Sequence, residues 1–367
     1  MKFSLKPKER LDELYGRKED VKKIKKSIKR DGSITLVYGP KGIGKTSAII
    51  STKNSLNSSK TIDVIYLDMT RFLELNDHIG YQKFTSSFHD AVQESMNKRI
   101  IERFARKLQK NGEVIISPIS TPLFQLMLRF KDNNKEENQG FIDLLEKLNE
   151  WCEQKNRKAV IVIDEAQLLR KIHGNILRSV FYAYKHLNSI SFAFVGSEAG
   201  IHKVFLEEES PLYGLDDMTE IRLKPLDRDS AISYLKDGFE DRGYEFSKKD
   251  GKRVYEKIGG NPEWLTLYGI NAIKYENSDK AIRRTIEVAK VQFVNELMDF
   301  LSISNPIDNP SITRNKFTKL MNEWKKGDKW EDIDQTLLSI TGNKISEEDR
   351  KRIRSMLSNY PGLINDI

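Results

Sequence analysis

The chain has 367 residues, 38% of them hydrophobic and 32% charged, with only 10 Pro and 21 Gly. At roughly 150 residues per domain that is room for two or three domains, and the balance excludes a disordered, collagenous or low-complexity polymer. The formal net charge of +8, from 62 Lys+Arg against 54 Asp+Glu, is compatible with nucleic acid but short of the dense basic patches of a packaging protein.

In chain order, a helix is expected at 18–30, where Glu19 and Asp20 suit its positive N-terminus and the later lysines its negative end. A buried strand follows at 34–38 (ITLVY), then a helix at 44–54 and a strand at 62–67 ending in Asp68, together a βαβ unit. Residues 79–110 carry a helical pattern and 114–119 a short β-like insertion. An amphipathic helix at 141–153 puts Leu144, Leu145 and Leu148 on one face. The stretch 159–163 is apolar throughout, as a parallel strand buried on both faces should be. A helix at 175–187, a strand at 191–195, a helix at 199–206 and a strand at 219–223 complete the alternation, which implies a doubly wound α/β fold.

Beyond Pro225 the strand pattern stops. Helices at 227–242, 247–258, 262–276 and 279–303 suggest a separate helical subdomain. Residues 305–310, with two prolines and three Asn/Asp, read as a linker. Three short amphipathic segments follow, at 313–325, 330–340 and 346–359. The expected organisation is therefore an α/β domain at 1–225, a helical lid at 226–304 and a small terminal module at 305–367.

The segment Gly39-Pro40-Lys41-Gly42-Ile43-Gly44-Lys45-Thr46 fits G-x-x-x-x-G-K-[ST] between a strand and a helix, the context of a P-loop. Its glycines let several backbone N–H groups point at one anion, and the helix N-terminus adds its dipole. Lys45 is expected to reach the β- and γ-phosphates and Thr46 to hold Mg²⁺, with Ser47 next to it in the nucleotide-binding set. The run Val160-Ile161-Val162-Ile163-Asp164-Glu165 delivers two carboxylates at the end of a buried strand, where open α/β sheets bind ligands. Asp164 is expected at the Mg²⁺ and Glu165 as the group that polarises the attacking water. Gln167 is close enough to the two carboxylates to matter, although a plain helix-start residue is the reading its position favours. Ser197, after the fourth strand, either hydrogen-bonds the water or γ-phosphate or caps the following helix.

These residues, in this order, resemble the archaeal ATPase family, a branch of the P-loop NTPases close to AAA+ and to the STAND signalling ATPases. The resemblance rests on Leu14-Tyr15-Gly16-Arg17-Lys18-Glu19, the P-loop, Ile163-Asp164-Glu165-Ala166-Gln167 and Val195-Gly196-Ser197-Glu198. Downstream it continues through Ser210-Pro211-Leu212-Tyr213-Gly214, Leu223-Lys224-Pro225-Leu226 and Ile258-Gly259-Gly260-Asn261-Pro262. It implies an ASCE-type five-stranded parallel sheet with the fourth strand between the P-loop strand and the Asp-Glu strand, a helical lid, and a C-terminal winged-helix-like domain. It also implies that Tyr15, Gly16 and Arg17 lie along adenine and ribose and that Pro262 touches the base. From the residues alone, Arg17 is equally a solvated helix-start arginine and Pro262 a first-turn proline behind an Asn261 cap. The resemblance departs at Leu215, where family members commonly carry Arg; an arginine-finger role is open there, with Arg222 or Arg178 as alternatives. It departs again at the end, where 361–367 is enough for one strand and no complete wing.

The activity this implies is Mg²⁺-dependent hydrolysis of ATP to ADP by a switch whose nucleotide state controls a macromolecular interaction, with ATP over GTP resting on the resemblance alone. The alternatives are an ATP-gated DNA-binding regulator with little turnover and an ATP-dependent oligomerising signalling scaffold with protein partners. DNA is only weakly supported, because residues 310–367 hold 11 Lys+Arg against nine Asp+Glu, whereas residues 1–31 alone hold 12 against six. Arg99, Arg103, Arg106 and Lys110 recur at helical spacing, either as a solvated face or as a phosphate-binding stripe. No apolar run approaches the roughly 18 residues of a membrane span, and no signal-peptide pattern opens the chain, so a cytoplasmic protein is expected. One cysteine, Cys152, and five scattered His give neither a disulfide nor metal-ligand spacing.

Overall fold

The computed structural model describes residues 2–56, 59, 61–72, 80–95 apart from 82 and 93, 137–172, 176–304, 310–323, 330–341 and 346–358. The basic stripe at 99–110, the β-like insertion at 114–119 and the terminal strand expected at 361–367 lie outside the described residues.

Five strands form one parallel sheet: β1 (Ile34–Gly39), β2 (Ile62–Asp68), β3 (Lys158–Asp164), β4 (Ile190–Ser197) and β5 (Thr219–Arg222), in the order β2-β3-β4-β1-β5. The fourth strand lies between the P-loop strand and the Asp-Glu strand, as expected. The strands are apolar because both faces are covered, and their side chains alternate between two cores. Leu36, Ile161 and Phe192 point into one core, where α3 (Glu137–Gln154), α4 (Ile176–His186) and helical residues 83–92 pack. Val37, Val160 and Ala193 point into the other, beneath α1 (Lys18–Ile28) and α2 (Lys45–Leu56). Cys152 is buried in the first core near the end of α3, and burial pushes its thiol up to about 12, which makes it a packing residue.

The helix α5 (Glu198–Phe205) follows β4, and beyond β5 the chain is helical: α6 (Arg228–Glu240), α7 (Lys248–Ile258), α8 (Pro262–Tyr275) and α9 (Ser278–Ser304). Each of the first three has a polar residue at its N-cap. Asp227 accepts from Ser230 N, Ser247 from Asp250 N and Asn261 from Glu263 N. Pro310 opens α10 (Pro310–Glu323) at its first position, where the missing N–H costs nothing. It therefore starts a helix where a linker residue was expected. Helices α11 (Trp330–Thr341) and α12 (Glu347–Ser358) follow, so the terminal segment is helical among the described residues and no wing strand is present in them.

Phe317, Leu337, Ile353 and Met356 of these last helices share one apolar cluster with Trp264, Phe293 and Phe300 of the lid. The last helix also reaches the sheet side. Arg352 pairs with Glu207, just after α5, at 3.3 Å, and Asp349 with Lys203, within α5, at 3.6 Å.

Candidate nucleotide site

Sheet register decides the site. Gly39 at the end of β1 stands beside Ser197 at the end of β4, and Asp164 at the end of β3 stands beside Val195 and Asp68. The C-terminal ends of the central strands thus deliver the phosphate loop and the two carboxylates to one edge, the place where open α/β sheets bind ligands.

The loop between β1 and α2 is held from outside by its carbonyl oxygens. Lys45 Nζ donates to Gly39 O and Pro40 O, each at 2.9 Å. Arg17 Nη2 donates to Ile43 O at 2.8 Å, and Asn261 Nδ2 donates to Lys41 O at 2.9 Å. Glu263 N, in the first turn of α8, donates to Gly42 O at 3.2 Å. With these carbonyls engaged, the first-turn N–H groups of α2, which have no intrahelical acceptor, are the donors left for an anion.

Gly42 is indispensable to this arrangement. Its φ is +77°, and a Cβ there would stand 2.3 Å from Glu263 Oε2 and 3.0 Å from Asn261 Oδ1. Gly42→Ala should therefore push the loop and the lid apart. A nucleotide titration by calorimetry is expected to show at least tenfold weaker binding, with the protein still folded by circular dichroism; wild-type affinity would contradict the close docking.

Asp164 is 2% exposed and accepts from Tyr66 Oη at 2.8 Å and from Glu165 N at 3.0 Å. Burial raises its pKa, while hydrogen bonds from Tyr66 and from the Thr46 hydroxyl oppose that rise. Glu165 has φ 54° and ψ 43°, a left-handed conformation that costs a non-glycine residue about 1 kcal/mol or more. It faces a cavity of about 300 Å³ whose floor is the P-loop from Lys41 to Ser47 and whose far side is Pro262, Glu263 and Thr266 of the lid.

The model of a family described as an ATPase domain predominantly from Archaea matches residues 14–267. The chain belongs to the archaeal ATPase family. It is 24% identical over 246 residues to an uncharacterized ATP-binding protein of Methanocaldococcus jannaschii, a match that spans 63% of this chain and 64% of that relative, just under two thirds of its length. A second uncharacterized ATP-binding protein of that organism is 22% identical over 280 residues, 72% of each chain. In fold the chain is similar to a Walker-type ATPase of Pyrococcus abyssi, with a TM-score of 0.63 at 23% identity, covering 98% of this chain and 93% of the other.

In this archaeal ATPase the expected residues fall into three groups. Lys41, Gly42, Ile43, Gly44, Lys45, Thr46 and Ser47 line the cavity, together with Tyr15, Arg17, Glu165 and Pro262. Gly39, Pro40 and Asp164 stand just behind that lining, the first two as acceptors for Lys45 and the third as acceptor for Tyr66. Gly16 and Ser197 have packing and capping positions. Gly16, at φ +61°, sits against Ser230 and Leu226 of the lid, and Ser197 Oγ accepts from Gly200 N at 3.2 Å as the cap of α5.

Several residues differ from what the sequence suggests. Arg17 is 5% exposed and spans Ile43 O and Asp20, so it braces the phosphate loop where a solvated arginine was one expectation. Gln167 donates from Nε2 to Glu165 Oε2 at 2.5 Å. Gly196 and Gly200 make room for it, since a Cβ on either would come within 2.5 Å of its side chain. It orients Glu165 and is no plain helix-start residue. Leu215 packs on the sheet core, and Arg222 is engaged by Glu198 at 3.0 Å, outside the cavity lining.

The rest of the cavity lining was not among the expected site residues: the wall formed by Ser4 to Lys8, with Glu13, Leu14, Leu226, Tyr234, Glu263 and Thr266. The only sequence signal for the wall is Phe3, a lone aromatic in a polar stretch.

Proposed function

We propose that this protein is an Mg²⁺-dependent ATPase that works as a molecular switch, its nucleotide state setting the position of the lid and, through it, of the last three helices. The observation that supports this best is the direct attachment of the lid to the phosphate loop, Asn261 to Lys41 O and Glu263 N to Gly42 O, across the same cavity that Glu165 faces. Phosphates resting on the N-terminus of α2 and on Lys45 shift those loop atoms, and the lid moves with them. Because the lid and helices α10 to α12 share one apolar cluster, a lid displacement carries to the terminal helices.

The oxygen donors Thr46 and Asp164, near enough for the Thr46 hydroxyl to oppose the rise in the Asp164 pKa, fit a hard divalent ion, and they are the residues that would hold Mg²⁺. When bound, such an ion would supply charge neutralisation for the phosphates. The chain's own residues do the rest. Lys45 offers its ammonium to the same oxygens, and Glu165, oriented by Gln167, accepts a proton from the water attacking the γ-phosphate. Arg17 acts on the loop from behind through Ile43 O.

For the output, the basic residues of α12 favour a protein partner over DNA. Arg352 is held by Glu207 in a partly buried pair and is withdrawn from phosphates, while Lys351 has Glu347 beside it at 3.2 Å. The test measures phosphate release from ATP with Mg²⁺ and with excess chelator, and in parallel DNA binding at low salt with and without ATP. Release that requires the divalent ion is expected. Absence of release under all conditions would sink the ATPase reading, and tight, ATP-dependent, steeply salt-sensitive DNA binding would favour the DNA-gated alternative.

A further inference from the structure

Residues 2–9 form a strap from the lid to the P-loop helix. At one end Phe3, 2% exposed, sits in the lid core with edge-on contacts to Tyr234 (5.8 Å) and Phe239 (5.2 Å). Its socket is cut by two glycines on two different helices, Gly238 of α6 and Gly269 of α8. A Cβ on either would stand 2.4 Å from the ring. Glycine inside a helix is destabilising relative to alanine, so a pair of them facing one aromatic ring marks a built seat. Lys2 reinforces it, with Nζ on Asp237 at 2.8 Å and its backbone N on Asp241 at 3.2 Å.

The other end is tied to α2. Lys8 N donates to Ser47 Oγ at 3.0 Å, Ser51 Oγ to Lys8 O at 3.3 Å and Asn54 Nδ2 to Glu9 O at 3.1 Å. Ser47 directly follows the Mg²⁺-site candidate Thr46. Between the anchors, Ser4 to Lys8 wall the cavity, with the apolar side chain of Leu5 58% exposed beside it. Five residues of chain reach about 17 Å when fully extended, at 3.3–3.6 Å each, so the strap limits how far lid and P-loop helix can separate.

We propose that Phe3 is a positioning residue for nucleotide binding: seated between Gly238 and Gly269, it fixes residues 4–8 as a wall of the cavity and ties the lid to the P-loop helix. The proposal rests on the cavity being the nucleotide site. Phe3 itself does not line the cavity; it acts through the strap.

The test compares wild type, Phe3→Ala and the triple variant Phe3→Ala, Gly238→Ala, Gly269→Ala. In the triple variant two methyl groups refill part of the vacated socket on better helix-forming residues, without restoring the anchor. The expected result is an ATP dissociation constant raised about tenfold or more in both variants, with turnover at saturating ATP within about threefold of wild type. The melting temperature falls in the single variant and recovers in the triple one. A purely structural role for Phe3 predicts that affinity recovers along with stability, and that outcome would overturn the proposal.

Should the variants fail to fold, hydrogen exchange on the wild-type chain decides. Added ATP must slow exchange in residues 4–9 and in α6 together, and protection of the P-loop alone counts against the strap. A wild-type chain that binds no ATP would instead overturn the nucleotide reading itself, so the two failures are distinguishable.

Discussion

Lys45→Ala is expected to leave a folded protein whose ATP turnover is down by about 10²- to 10³-fold, the cost of removing one preorganised donor to a developing anion. Two losses combine. The ammonium that meets the β- and γ-phosphates is gone, and so is the bridge that joins the two ends of the loop through Gly39 O and Pro40 O. Each carbonyl left without its charged partner costs about 1–3 kcal/mol where it is buried, so nucleotide affinity drops as well as turnover. Lys45→Arg is not expected to rescue it. The residue is 8% exposed, and a planar fork cannot place two N–H groups on the same pair of carbonyls as a compact ammonium does. Phosphate release and a nucleotide titration check both effects, and wild-type values in both would remove Lys45 from the site.

What was legible in the sequence was what has a local signature. The ITLVY and AVIVI runs announce strands because burial on both faces demands unbroken apolar sequence, and Asn261 announces a helix start because it caps its own next turn. The P-loop is legible because its glycines are needed locally. Contacts between distant segments leave no such trace. Arg17 bracing Ile43 O, Gln167 lying in the space left by Gly196 and Gly200, and Phe3 between Gly238 and Gly269 are complementary shapes far apart in sequence. Each half looks ordinary alone, a charged residue or a mid-helix glycine. The terminal unit shows the opposite limit: its three amphipathic segments coincide with helices, while the winged-helix expectation comes from resemblance and has no wing among the described residues.

Glu165→Gln is expected to separate binding from chemistry. The substitution keeps the side chain's size and leaves an amide oxygen to accept from Gln167 Nε2, so the left-handed turn at φ 54° and the cavity wall persist. What it removes is the carboxylate that takes a proton from the attacking water, a contribution of about 10²- to 10⁴-fold in general-base catalysis. ATP affinity should therefore stay within about threefold of wild type while phosphate release falls at least a hundredfold. The charge removed also bears on its neighbour, because Glu165 is one of the groups that raise the pKa of Asp164. Burial is the larger cause of that rise, and it persists in the variant, so only part of the upward shift of Asp164 is relieved. This variant is consequently the form in which to size the protein with ATP. A shift to a larger species on ATP addition, absent with Lys45→Ala, would tie assembly to nucleotide occupancy through the lid. A Glu165→Gln protein that turns over at the wild-type rate would mean that the water is activated elsewhere, and that the strained backbone at Glu165 serves the Gln167 contact rather than catalysis.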